Sequence, residues 1–190
     1  MKKVVCWGMA LLASLVIVSC SGTKKVVREE APGTVDVILP LSGKEYQSDK
    51  EFYRAKSSGK SPDIATAKKI ALINAQTEIS RLINSRIKAV AENYTNQRSL
   101  SNSQDFENKF EDLAKSVVSQ QLVDVSIIGE KLLKTGTTYE YWIAIEVSKQ
   151  AILNGIDNSI SKNQKLQIDY DKKKFEESYD KEMEKLETGK

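Results

Sequence analysis

Histidine is absent from the 190 residues, and cysteine occurs only twice, at positions 6 and 20. Without histidine there is no Ser-His-Asp or Cys-His hydrolase, no imidazole metal ligand and no histidine pH switch. Proline is equally scarce, at Pro32, Pro40 and Pro62. Charge of one sign is lacking too. Lysine and arginine number 29 against 26 acids, for a formal +3, and no block of five like charges occurs. Such a balance gives no nucleic-acid footprint.

The longest apolar run is at the N-terminus. Met1-Lys2-Lys3 precedes an uncharged stretch from Val4 to Val18. That is the length of a secretory h-region and short of the roughly 20 residues a membrane span needs. It ends in Ile17-Val18-Ser19-Cys20: an aliphatic residue, a tolerant position, a small residue, then cysteine. The pattern resembles a bacterial lipobox. It implies lipid transfer to the Cys20 thiol, cleavage before Cys20 and acylation of the new amino group. Several acyl chains hold a protein on a membrane without spanning it. Residues 1–19 are then a signal peptide, and Cys6 leaves with it. No thiol remains for a disulfide or a nucleophile. Removal of Lys2 and Lys3, with no acid, takes the formal charge from +3 to +1. Ser21 rather than aspartate follows Cys20, and no acidic run follows that. By resemblance to bacterial sorting rules, this points to the outer membrane, on its periplasmic face.

Residues 20–33 read as a tether ending in Pro32-Gly33, and Thr34–Leu39 as a short strand stopped by Pro40. Residues 42–60 are polar and read as loop, with one helical turn. Ser61-Pro62-Asp63 is a helix start, with Ser61 as N-cap and Pro62 at the first position. Ile64, Ala71, Ala75, Ile79, Leu82, Ile83, Ile87, Val90 and Tyr94 then recur at three- and four-residue steps. That predicts a helix of about 35 residues. Phe106, Phe110, Leu113 and Val117 predict a second helix over 103–120. The period changes to two at Val123, Val125 and Ile127. Lys134-Thr135-Gly136-Thr137 is a turn, and Tyr139, Tyr141, Ile143, Ile145 and Val147 alternate after it. This is a hairpin with one buried face. A hairpin alone is marginal, so residues 34–39 are the expected third strand, with the long helix packed on the Tyr139/Ile143/Val147 face. From Ser148 the chain turns helical, with Ile152, Ile156 and Ile160. Phe175, Tyr179, Met183 and Leu186 mark a strongly charged amphipathic helix expected to be exposed. The predicted fold class is α+β: a small antiparallel sheet packed by a long Ala-rich helix and a second helix. Residues 34–160 form the domain and 161–190 the charged C-terminal helix.

Two motifs suggest chemistry. Gly59-Lys60-Ser61 matches the end of a phosphate-binding loop, but the first glycine of that loop would fall at Arg54. Pro62 also removes an amide where phosphate would bind. Ser57-Ser58-Gly59-Lys60, Tyr94-Thr95-Asn96 and Lys134-Thr135-Gly136 occur in the order of a penicillin-binding Ser-Lys acyl enzyme. That site needs its Ser and Lys within a helix, whereas the helix here begins after both. Asp169-Tyr170-Asp171 lacks the other ligands of a calcium loop. The residues imply no metal and no cofactor. Alternation sets Trp142 on the face opposite Tyr139 and Tyr141, as a candidate binding surface.

The lipobox, the polar tether, Phe52-Tyr53 before Ser58-Gly59, the alanines at 65, 67, 71 and 75, and Gly136-Thr-Thr-Tyr-Glu-Tyr-Trp-Ile-Ala-Ile resemble the LPP-twenty lipoprotein family over roughly residues 45–150. Its domain is similar to the N-terminal domain of the flagellar assembly protein T. The charged tail after about residue 165 departs from that pattern. The resemblance implies a non-enzymatic, outer-membrane-associated α+β domain and no catalytic residue. The expected function is a membrane-anchored interaction or structural module of the envelope. It would contact an envelope protein or cell-wall component, and a homo-oligomer is compatible with it. A small-ligand or glycan-binding lipoprotein is the alternative.

Overall fold

A computed structural model describes residues 37–98, 103–123, 125–167 and 170–188. Residues 38–190 make one compact unit. Three antiparallel strands, β1 (Phe52–Ser61), β2 (Ser126–Thr135) and β3 (Thr138–Ser148), lie in the order β1-β3-β2. The α+β class is therefore as the sequence predicts. The third strand is not the expected one. Thr34–Asp36 lie outside the described residues, and residues 37–39 are exposed and form no strand. Its place is taken by β1, within the stretch read as loop. The one helical turn expected in that stretch is a 3-10 turn at Lys44–Tyr46.

A polar sequence becomes a strand here because of what flanks it. Tyr53 pairs with Val147, Ala55 with Ile145, Ser57 with Ile143 and Gly59 with Tyr141. These residues face the long helix α1 (Ile64–Arg98). Arg54, Lys56, Ser58 and Lys60 therefore take the opposite face. The inner row is small because α1 presents Ala67, Ala71 and Ala75, all fully buried. Small residues against small residues let the helix backbone lie close on the strand.

Helix α1 has the expected length, 35 residues. Its N-cap is Asp63 rather than Ser61: the Asp63 carboxylate accepts the Thr66 amide at 2.8 Å. That bond holds the Asp63 carboxyl below its ordinary range. The helix spans about 52 Å, and a ten-residue strand about 33 Å, so its C-terminal half runs past the sheet. There it meets α2 (Ser103–Gln121) and α5 (Lys172–Thr188). Helix α3 (Lys149–Ile160) is capped by the Ser148 hydroxyl, which accepts from the Ala151 amide. It buries Ile152, Ile156 and Ile160, and a four-residue α4 (Gln164–Gln167) follows.

Helix α5 corrects the expectation of an exposed arm. Phe175, Tyr179 and Met183 are 0, 3 and 6% exposed. Ion pairs Arg98–Asp171 (3.5 Å) and Arg86–Glu182 (4.0 Å) set α5 antiparallel to α1. The rings of Tyr94, Phe106, Phe110, Tyr170 and Phe175 form one cluster, with centroids 5.0 to 6.5 Å apart. The Leu186 side chain, counted in the same stripe, lies outside the described residues.

Candidate functional site

The outer sheet face divides in two. Over β2 and β3 lies the segment that contains Leu41 and Tyr46. A Cβ at Gly129 would stand 2.6 Å from the Tyr46 ring and 3.2 Å from Leu41 Cδ2. Lys56 fixes this cover by donating to the Leu41 carbonyl at 2.9 Å. Arg54 fixes its end: its guanidinium bonds Glu146 (2.8 Å), the Gln47 carbonyl (2.9 Å) and Asp49. Ala144, beneath the cover, is fully buried.

The other half, toward the hairpin tip, carries Trp142. In register its neighbours are Ser58 on β1 and Lys131 on β2. Lys60 on the same face pairs with Glu140 at 3.6 Å. Trp142 lies opposite the two tyrosines, as alternation predicts. Tyr141 faces Lys68 of α1 at 5.4 Å, and Tyr139 faces Lys134 at 5.2 Å. Trp142 is half-buried rather than open, and its shielded indole N–H has no acceptor among the described residues. A buried donor left unmade costs about 1–3 kcal/mol.

The acyl-enzyme residues do not come together. Ser57 faces α1, opposite Ile143, whereas Lys60 faces outward beside Glu140. Residues three apart on a strand always take opposite faces, so this Lys cannot accept this Ser proton. Lys134-Thr135-Gly136 forms the hairpin tip, and Tyr94 is buried in the aromatic cluster. Cys20 lies outside the described residues. Among the described residues there is no group of three metal-ligating side chains and no helix long and apolar enough to cross a membrane.

One buried polar group of residues was not visible in the sequence. The Tyr53 and Tyr179 hydroxyls are 3.0 Å apart, and Tyr179 donates to the Lys149 carbonyl at 3.2 Å. Tyr53 can then donate to Tyr179. Lys149 Nζ sits 5.3 Å from the Tyr53 ring centre. The group ties β1, α3 and α5 together across sequence separations of 126 and 30 residues. Helical spacing placed Tyr179 on an apolar stripe but could not name its partner. A cleft of about 410 Å³ opens above it, between Glu51, Gln150 and Asp180.

Burial pushes both hydroxyls well above the ordinary tyrosine range. The folded state thus keeps protons that the unfolded chain gives up near pH 10. Stability from this source is complete below about pH 10 and drains away as pH rises through the folded values. Urea unfolding at rising alkaline pH should show that loss. Tyr179→Phe should cost about 1–2 kcal/mol at neutral pH and make the alkaline decline shallower.

No protein-family model, no curated protein and no solved structure matches this chain.

Proposed function

We propose that this chain is a bacterial envelope lipoprotein, held at the outer membrane by acylated Cys20, whose α+β unit acts as a non-enzymatic interaction or structural module. The observation that carries this reading is Ile17-Val18-Ser19-Cys20 at the end of the apolar run, joined by a polar segment to a compact unit with its own core. The resemblance to the LPP-twenty family supports the same reading. Intact-mass analysis of the protein from membranes should find Cys20 at the N-terminus, carrying acyl chains. Cys20→Ala should release the protein from the membrane fraction. An unmodified Cys20 in the mature chain would refute the anchor.

The Trp142 face supports a second reading, as a site for a small polar ligand or glycan. Its basis is the half-buried indole ring, with the polar side chains of Ser58 and Lys131 beside it in register. After signal removal Trp142 is the only tryptophan left, since the other is Trp7. Its fluorescence therefore reports that face alone. A saturable change with envelope glycans, lost in Trp142→Ala, is the expected result. A flat response across the panel rejects this reading.

A further inference from the structure

The two edges of the sheet are treated differently. The free edge of β1 is plugged. Asp49 accepts the Phe52 amide (2.9 Å) and its own amide donates back to the Phe52 carbonyl (3.1 Å). The Ser48 hydroxyl accepts the Arg54 amide (2.9 Å) and donates to the Arg54 carbonyl (3.3 Å). Asn74 donates to the Ser58 carbonyl (3.0 Å). The free edge of β2 has no such plug: among the described residues β2 pairs with β3 alone, and Glu130 to Thr135 are all exposed.

The groups on that bare edge follow from the turn. Gly136, at φ 59°, leads a two-residue loop closed by Thr135 and Thr138. Such a closing pair exchanges its hydrogen bonds, and bonded and unbonded pairs alternate beyond it. The pairs Lys134–Tyr139, Leu132–Tyr141 and Glu130–Ile143 are then unbonded. The amides and carbonyls of residues 130, 132 and 134 point away from β3, and no described residue bonds them. The strand's irregularity, at Ile127–Gly129, lies outside this segment.

We propose that a second copy of this chain occupies the edge, its β2 pairing antiparallel with the first about a two-fold axis at Leu132. Opposite residues must share a face, so the axis has few choices. Centred on Glu130 it opposes two carboxylates, and centred on Lys131 two ammonium groups. Centred on Leu132 it sets Leu132 against Leu132 and, twice, Glu130 against Lys134, with the Glu130 carboxylate shared between Lys134 of the other copy and Lys68 of its own α1, 2.6 Å away. It also uses all three outward backbone positions, for six new hydrogen bonds. Leu132, 44% exposed, loses its open apolar surface. Lysines that guard a bare edge against unspecific pairing here fix one register. Helix α1 packs mainly on β1 and β3 and reaches β2 through the Lys68–Glu130 ion pair at 2.6 Å, which leaves the outward amides and carbonyls of β2 unused; the result is a six-stranded sheet. The proposal does not rest on the lipid anchor or on Trp142, and extends the interaction role to self-association.

Sedimentation of the full chain in mild detergent tests it, and the expected mass is twice that of the chain. Leu132→Pro removes only an edge amide that β3 does not use, a position where proline is tolerated. It should leave the circular dichroism and the melting temperature of the monomer intact. It should weaken dimerisation about thirtyfold, by deleting two bonds per dimer. Glu130→Lys, which also gives up the Lys68 pair within its own chain, should dissociate the dimer, and adding Lys134→Glu should restore it. In a Cys6→Ser/Cys20→Ser background, Leu132→Cys should form an intermolecular disulfide, because bonded antiparallel pairs bring Cα atoms to about 5.5 Å. Lys131→Cys should not. A monomer at every attainable concentration overturns the proposal. So does a dimer that Leu132→Pro leaves unchanged. Protection of the β2 amides only on addition of another envelope component also overturns it, assigning the edge to a different partner.

Discussion

Replacing Phe175 by alanine should lower folding stability by about 4 kcal/mol, as for other buried aromatics cut to a methyl group. Phe175 is fully buried, with its ring centroid 5.0 Å from Phe110, 5.5 Å from Tyr170 and 5.8 Å from Tyr94. Truncation removes the ring that α2, α1 and the start of α5 share. Domains of this size have about 5–15 kcal/mol in all, so the loss is a large part of the total. At about 2–4 °C per kcal/mol, melting should fall by about 8–16 °C. Hydrogen exchange should quicken along α5 and at the C-terminal end of α1, while the sheet stays protected. Phe175→Leu keeps most of the volume and should cost under about 1.5 kcal/mol. Were α5 an exposed arm, as its charge suggests, Phe175→Ala would change stability by no more than about 0.5 kcal/mol. Calorimetry of the two variants separates these cases.

Why α5 misleads as a sequence is physical. Lys172 to Lys174, Glu176, Glu177, Asp180, Lys181, Glu184 and Lys185 surround a narrow stripe of one apolar residue per turn. Periodicity shows that Phe175, Tyr179 and Met183 share a face, but a partner cannot be read from spacing. The partners include Tyr53, Tyr94 and Phe110, each at least 65 residues away. Helix α1 is legible for the opposite reason: ten buried positions in 35 residues fix its face and length, although its cap is Asp63 and not the Ser61 that Ser-Pro-Asp suggests. The hairpin is equally plain, because the period-2 run and Gly136 are local signals. Strand β1 is not, since lysine, serine, alanine and glycine disfavour strands. Only pairing with β3 and the alanine face of α1 overrides that preference. The same division runs through the candidate sites. The Cys20 motif is a purely local pattern, and the face that carries Trp142 follows from alternation. Ser58 and Lys131 as its neighbours require a register between strands, which no local pattern encodes. The Ser57–Lys60 pairing fails once 52–61 is a strand, because a three-residue step that aligns side chains on a helix separates them on a sheet.

Gly59→Ala should be the second most damaging single change, at about 2–3 kcal/mol, although it adds only a methyl group. A Cβ there would lie 2.3 Å from the Ala67 carbonyl oxygen, 2.5 Å from the Ala71 amide nitrogen and 2.7 Å from Ile70 Cβ. The first two are backbone atoms of α1. No rotamer change relieves the overlap, so the helix must lift from β1 or the strand must bend. Overpacking of this kind costs about 1–3 kcal/mol, sometimes more. The gain from a stiffer unfolded chain, about 0.4–1 kcal/mol, offsets only part of it. Gly136→Ala is the contrasting variant. That glycine has open space around it but a φ of 59°, so it should cost about 1–2 kcal/mol from backbone strain alone. A second test lies on α1. If the obstacle is helix backbone, trimming Ala67 and Ala71 to glycine cannot rescue Gly59→Ala, and the triple variant should be less stable still. Rescue would mean that side chains, not backbone, set the spacing between α1 and β1. Without rescue, the glycine of Ser58-Gly59-Lys60 serves the approach of a helix to a strand, the role left for it once phosphate binding and acyl transfer lack their geometry.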